Sequence, residues 1–198
     1  MGRIVVTEFI SLDGVVEAPG GEDFTYPNWS FEFDRGPDGE RFKEEEALGA
    51  AVLLLGRVTY EGFAGAWPQY EGELADKYNG MPKYVVSSTL TTPTWNNTTV
   101  LSGDLVDEVA RLKRDVEGEI SVPGSIRLAQ SLIAHDLVDE IRLMSFPVIL
   151  GQGRRLWGET PDKSSWELTD ATSYGDGVLV TVYRRIHLSG VRASRSAP

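Results

Sequence analysis

The period of the apolar positions changes repeatedly along this chain, and the changes mark out its elements. Residues 3–10 (RIVVTEFI) are dense in β-branched side chains and read as a first strand. Residues 51–55 (AVLLL) form a short continuous apolar run, the pattern of a strand covered on both faces. Further strands are expected at residues 83–87, 98–101 and 119–122, and residues 139–146 alternate as another. Between them the period lengthens to that of a helix. Leu105, Val109, Leu112 and Val116 share one face of a helix that Asp104 would cap, and Ile126, Ala129, Leu132 and Ile133 do the same over residues 125–134. Shorter helices are expected over residues 56–63 and 72–78. Residues 39–48 make a charged helix that reads as exposed, with Glu44, Glu45 and Glu46 on a solvated face.

The last apolar segments, residues 166–174 and 178–184, flank Gly175-Asp176-Gly177 and predict a hairpin. Strands alternating with helices, closed by an antiparallel hairpin, imply an α/β domain with a central mixed, mostly parallel sheet flanked by helices. Two stretches carry no period. Residues 11–39, rich in Gly, Pro, Asp and aromatic side chains, read as a long functional loop with room for one short helix. Residues 186–198 are rich in Ser and Arg and are expected to form a flexible basic tail, which leaves residues 1–185 as the domain.

Composition narrows the function classes. A chain of 198 residues, 41% apolar and 25% charged, suits one globular domain. The absence of cysteine excludes disulfides, thiolate metal sites and cysteine nucleophiles. With only His135 and His187 as histidines, no metal site is expected. The chain opens on a strand rather than a secretory leader, and no apolar run approaches the roughly 18–20 residues of a membrane span. The expectation is a cytoplasmic protein without a membrane partner. Net charge is −11, and because four arginines and no acid follow residue 183, the preceding body carries −15. Such a body repels phosphate backbones, which argues against nucleic acid as a partner. An anionic cofactor would have to be held by local donors.

Candidate chemistry gathers at three strand-to-loop junctions. Gly56-Arg57-Val58-Thr59-Tyr60-Glu61 follows a buried strand and opens a helix, where backbone N–H groups and an arginine favour an anion. Ser87-Ser88-Thr89 brings three hydroxyls to the end of the next strand. Gly124-Ser125 lies between a strand and a helix, where a small residue lets a phosphate approach the backbone. Each has a plainer reading alone: a tight turn, loop hydroxyls, a helix cap. In this order they suit a nucleotide lying across the carboxyl ends of parallel strands. Trp67, Trp95, Trp157 and Trp166 read as packing residues, and His135 as a helix C-terminal cap.

The ordered segments SLDG (11–14), GRVTYE (56–61), VVSSTL (85–90), VPGSIRL (122–128), LVDEIRL (137–143) and PVILGQG (147–153) resemble the dihydrofolate reductase-like superfamily. Within it they are most similar to the branch containing the reductase domain of bacterial riboflavin biosynthesis. The resemblance implies the three-layer fold of that superfamily, an NADPH cofactor and a homodimer. It implies hydride transfer to a C=N or C=O bond of a small heterocyclic substrate, as in 5-amino-6-(5-phosphoribosylamino)uracil reductases. It sets Gly56, Arg57, Val58 and Thr59 against the cofactor phosphates, Ser87 and Ser88 near the adenosine 2′-phosphate, and Gly124, Ser125 and Ile126 under the pyrophosphate. Pro123-Gly124-Ser125 departs here from the glycine run of the reductases.

On the substrate side, Trp29 precedes Asp34 by the interval that separates a tryptophan from the catalytic acid in true dihydrofolate reductases. The resemblance therefore implies a buried carboxyl at Asp34 as proton donor or its organiser. Asp13 of SLDG is the second candidate, with Trp29, Gly151 and Gly153 against the substrate. The positions of the two polar folate anchors fall on Met81 and Met144, so dihydrofolate is not the expected substrate. A phosphoribosyl group would need a basic pocket, for which Arg35, Arg41 and Lys43 are the nearby cations. The competing readings are a nucleotide-binding module without turnover and a same-fold reductase of an unrelated metabolite.

Overall fold

A computed structural model describes residues 1–21, 23–158 and 163–186. The described residues form a sheet of β1 (Arg3–Ser11), β2 (Ala50–Gly56), β3 (Lys83–Val86), β4 (Thr98–Leu101), β5 (Glu119–Pro123), β6 (Glu140–Phe146), β7 (Trp166–Tyr174) and β8 (Val178–Arg185). Around it lie α1 (Gly36–Gly49), α2 (Arg57–Ala66), α3 (Glu73–Gly80), α4 (Leu105–Asp115) and α5 (Ile126–Ala134). The strand order is β4-β3-β2-β5-β1-β6-β8-β7. β1 to β6 pair in parallel, whereas β8 runs antiparallel to β6 and β7 antiparallel to β8. This is the mixed, mostly parallel sheet with a closing hairpin that the periodicity implied.

The central strands are covered on both faces, which explains their unbroken apolar runs. On one side Ile4, Val6, Leu54 and Val122 pack against Val109 and Leu112 of α4 and Leu128 and Leu132 of α5. On the other, Leu53, Leu55 and Val85 pack with Tyr60, Met81 and Trp95, and Met144 and Phe146 pack with Trp29, Val178 and Val180. Asp104 caps α4 as its sequence position suggests, accepting from the N–H groups of Val106 and Asp107 at 2.9 and 3.2 Å, a contact worth about 1 kcal/mol.

Three expectations need correction. α1 starts at Gly36, inside the stretch read as loop, and a 3-10 turn at Trp29–Glu32 precedes it. Glu46 is not solvated. Its neighbours Glu44 and Glu45 are exposed, but Glu46 faces the sheet and is buried. Trp157 is 52% exposed rather than packed. Of the expected tail, only Ile186 is described; residues 187–198, His187 included, lie outside the described residues.

The β7–β8 turn is locked to the loop before α1. Gly175 has φ +44°, and a Cβ there would stand 2.0 Å from the Asp34 carbonyl oxygen, so only glycine fits. Asp34 and Asp176 complete the junction: the Asp34 N–H donates to Asp176 Oδ2 at 3.0 Å, and the Asp176 N–H donates to the Asp34 carbonyl at 2.8 Å.

The register opens the sheet at one place. β1 pairs with β5 only as far as Thr7↔Pro123 but continues with β6 to Ser11↔Phe146. The chain leaves β1, builds outward through β2, β3 and β4, returns as β5 beside β1, and then passes to the other side as β6. β1 and β5 thus part at the point where strand order reverses, and their carboxyl ends flank a crevice suited to a ligand.

Candidate cofactor and substrate site

Two of the three junctions picked out in the sequence touch beside this crevice, on its β5 side, and the third is adjacent. The Gly56 N–H donates to Ser125 Oγ at 3.0 Å, and a Cβ on Gly124 would lie 3.6 Å from the Thr59 side chain. Gly56 is paired with Val86, so Ser87 leaves the sheet directly beside it. Gly124 and Ser125 both have left-handed backbones, at φ 58° and 62°. For Ser125 that conformation costs about 1 kcal/mol, and the bond from Gly56 helps to hold it.

Ser125 is therefore not the side-chain cap of its own helix, the plainer reading of its position. Neither α2, entered at Gly56, nor α5, entered at Ser125, has a side-chain cap hydrogen bond. The leading N–H groups of two helices accordingly open beside one another, with the positive ends of both helix dipoles. This donor set suits a doubly charged phosphate group. Arg57 is exposed and paired with Glu61 at 2.9 Å, one turn along α2. Val58 is 65% exposed and Ile126 half-buried at the start of α5. Ser87 Oγ accepts from the N–H groups of Thr89 and Leu90 at 3.2 and 3.0 Å, which shapes the loop and leaves the Ser88 side chain exposed.

The candidates for the substrate side have mixed placements. Asp13 is a staple. Its carboxylate accepts from the Ser11 hydroxyl at 2.7 Å, the Leu150 N–H at 3.1 Å and the Gly151 N–H at 2.9 Å, with Arg155 at 3.3 Å. The Ser11 bond, aided by the two backbone donors, holds its pKa down at about 2. It is ionised at neutral pH and has no proton to give. Asp34 is exposed, not buried as implied, because its carboxylate turns back to accept from the Gly36 N–H at 2.7 Å at the entry to α1.

Trp29 is 1% exposed, its indole N–H donating to the Glu17 carbonyl at 2.8 Å and its ring edge-on to Phe146. It supports the wall from behind rather than offering a surface to a ligand. Gly151 lends its N–H to Asp13. At Gly153, φ is +111° and a Cβ would meet Val15 and Phe24 at 2.7 and 2.9 Å, so close packing requires glycine there. Met81 and Met144 are both buried.

A polar cluster beneath the crevice escaped the sequence reading. Thr7, the last β1 residue paired with β5, donates its hydroxyl to Glu46 Oε2 at 3.0 Å and accepts from Lys43 Nζ at 3.0 Å. Lys43 also pairs with Glu46. Arg142 on β6 reaches Glu46 at 3.4 Å, Glu119 at 2.8 Å and Glu140 at 2.7 Å. Burial would raise the Glu46 pKa, but the charges of Lys43 and Arg142 and bonds from Lys43 and Thr7 outweigh it and hold the carboxyl below its usual range. One signal was available: Gly39, Phe42, Lys43, Glu46 and Ala47 recur at the three- and four-residue spacing of an inward helix face.

Comparison with known proteins gives a consistent picture. The family model of the RibD C-terminal domain matches residues 3–180. The uncharacterized protein YyaP of Bacillus subtilis (strain 168) is 26% identical over 190 residues, covering 91% of this chain and 94% of its own. Among solved structures, a Shewanella sp. PV-4 protein provisionally assigned to riboflavin biosynthesis superposes with a TM-score of 0.74 at 24% identity, over 93% of this chain and 99% of that one. Dihydrofolate reductase from Enterococcus faecalis, complexed with NADP(H) and RAB-propyl, superposes at 0.62 with 15% identity, over 93% of this chain and 97% of that one. The fold is therefore dihydrofolate reductase-like.

Proposed function

We propose that this chain, which belongs to the RibD C-terminal domain family, is a reductase that uses NADPH to reduce a small heterocyclic substrate. The observation that carries the reading is the pair of helix N-termini without side-chain caps, joined by the Gly56–Ser125 hydrogen bond beside the parting of β1 and β5. On this reading the N–H groups at the starts of α2 and α5 bind the pyrophosphate, with Gly56, Val58, Thr59, Gly124 and Ile126 lining it. Arg57 exchanges Glu61 for a cofactor phosphate, and Ser87 and Ser88 receive the 2′-phosphate. The crevice past Thr7 takes the ring end. Bound there, the cofactor supplies the hydride.

Asp13 and Gly151 shape the mouth, and Trp29 and Gly153 hold its walls. Because Asp13 is ionised and the Asp34 carboxylate is exposed and turned to the Gly36 N–H, the proton comes from solvent water. We further propose a homodimer and a cytoplasmic location. The described residues contain no helix long and apolar enough to cross a membrane. A pyrimidine intermediate of riboflavin synthesis is the first substrate class to screen. A second reading, a nucleotide-binding module without turnover, gains from the placement of both predicted acids away from a proton-donating role.

Calorimetric titration with NADPH and with NADH tests the proposal. Micromolar binding of NADPH, clearly tighter than that of NADH, is the expected result. Binding of neither would remove the cofactor assignment. NADPH binding without oxidation across the pyrimidine screen would favour the module.

A further inference from the structure

The first turn of α2 holds one side chain that the phosphate contacts leave unused. Tyr60 follows Thr59 directly but turns inward, and is 1% exposed among Leu53, Leu55, Val85 and Trp95. A hydroxyl buried in such surroundings needs partners. The backbone N–H groups of Thr94 and Trp95 both donate to Tyr60 Oη, each at 2.9 Å. Phenylalanine would fill the same space, so packing alone does not account for the hydroxyl.

Thr94 and Trp95 belong to residues 87–97, the crossover from β3 to β4. Parallel strands are usually joined through a helix. This crossover contains none, and its shape rests on side chains around it. At its start, Ser87 Oγ accepts from Thr89 and Leu90 within the crossover itself. Its far end is tied to α3 and β3: Trp95 Nε1 donates to Asn79 Oδ1 at 2.8 Å, Asn97 Nδ2 to the Gly80 carbonyl at 2.7 Å, and Lys83 Nζ to the Asn96 carbonyl at 3.3 Å. Tyr60 supplies the tie to α2. The segment that begins with the serines assigned to the 2′-phosphate is thus pinned by the helix assigned to the pyrophosphate.

We propose that Tyr60 is a positioning residue for cofactor choice. By holding the crossover to α2, it fixes Ser87 and Ser88 relative to the pyrophosphate donors and so favours NADPH over NADH. The inference rests on the proposed NADPH site and adds to it a residue that touches no part of the cofactor. NADH has a hydroxyl where NADPH carries the 2′-phosphate, so it uses the α2 donors without needing the serines. Loss of the tie should weaken NADPH and spare NADH.

Tyr60→Phe keeps the ring and removes the acceptor, and the exposed Thr94 can turn its N–H to water. Asn79→Ala is the control, since it cuts a tie of the same crossover that comes from α3. NADPH and NADH are titrated by calorimetry into the native chain and both variants, and amide hydrogen exchange of residues 87–97 is followed without cofactor. In Tyr60→Phe, exchange at Thr94 and Trp95 should quicken, NADPH affinity should fall roughly fivefold or more, and NADH affinity should stay within about twofold. Asn79→Ala should leave the ratio of the two affinities unchanged. Unaltered exchange or an unaltered ratio in Tyr60→Phe, or an equal shift of the ratio in Asn79→Ala, would overturn the role of Tyr60, while a native preference for NADPH would keep the cofactor reading. A native chain that binds neither cofactor, or both equally, would retire the 2′-phosphate assignment and this role with it.

Discussion

Asp13 shows how one side chain can organise a site without reacting in it. Its two oxygens collect the Ser11 hydroxyl, the N–H groups of Leu150 and Gly151 and the Arg155 guanidinium, tying the end of β1 to the loop after β6. Its folded pKa lies at about 2 against an ordinary 3.8, so the stabilisation is fully present above the ordinary value and is lost as pH falls through about 2. Asp13→Asn should therefore be less stable than the native chain at neutral pH, with the difference closing at the acid end. Urea denaturation at a series of pH values measures this, and a difference that persists undiminished at the lowest pH would contradict the staple. Arg57 behaves differently, because its present partner, Glu61, is exposed and exchangeable. Arg57→Ala should weaken NADPH binding by about 1.5–3 kcal/mol, while Glu61→Gln should strengthen it by freeing the guanidinium, both read by calorimetry. The sequence interval from Trp29 to Asp34 was legible, but not the turn of the backbone that buries the indole and exposes the acid.

At the level of elements, periodicity located nearly every strand and helix to within a residue or two, because each has a face to bury and the period follows from that face. α1 was misread because its inward face is mixed: Phe42 and Ala47 are apolar, but Lys43 and Glu46 between them meet Thr7 and Arg142. β3 hides a similar surprise. Lys83 is fully buried, donating to the carbonyls of Asn79, Met81 and Asn96 at 3.1, 2.7 and 3.3 Å and standing 4.2 Å over the Trp95 ring. It thereby clips the end of α3 and the loop before β4 onto the sheet. Burial pushes its pKa down from 10.5 to about 8. Between those values the unfolded chain holds the proton more tightly than the folded one, so stability should rise with pH across that window. Measured against Lys83→Met by urea denaturation, the gain should be about 1–3 kcal/mol. A flat difference would mean that the carbonyls fully compensate the ammonium for its lost water.

For the whole molecule, charge sets how a nucleotide arrives. A net charge of −11 repels NADPH at long range, while the N–H groups that open α2 and α5 act only at contact. Stopped-flow association of NADPH should accelerate as salt rises from about 10 mM toward 150 mM, where the Debye length shrinks to about 8 Å. Slower association with salt would instead indicate a local positive field strong enough to steer. The sequence by itself determined the α/β class, the order of elements, the cap at Asp104 and the three junctions of small and hydroxyl residues, since these depend on neighbours within a turn or two of chain. Only the tertiary structure decided that β5 parts from β1 after the Thr7–Pro123 pair and opens the crevice, that Ser125 bonds to Gly56 rather than capping α5, and that Lys43 and Arg142 converge on Glu46. Such contacts join residues dozens of positions apart, and they depend on register and on which face of α1 turns inward, quantities that no local pattern of residues encodes.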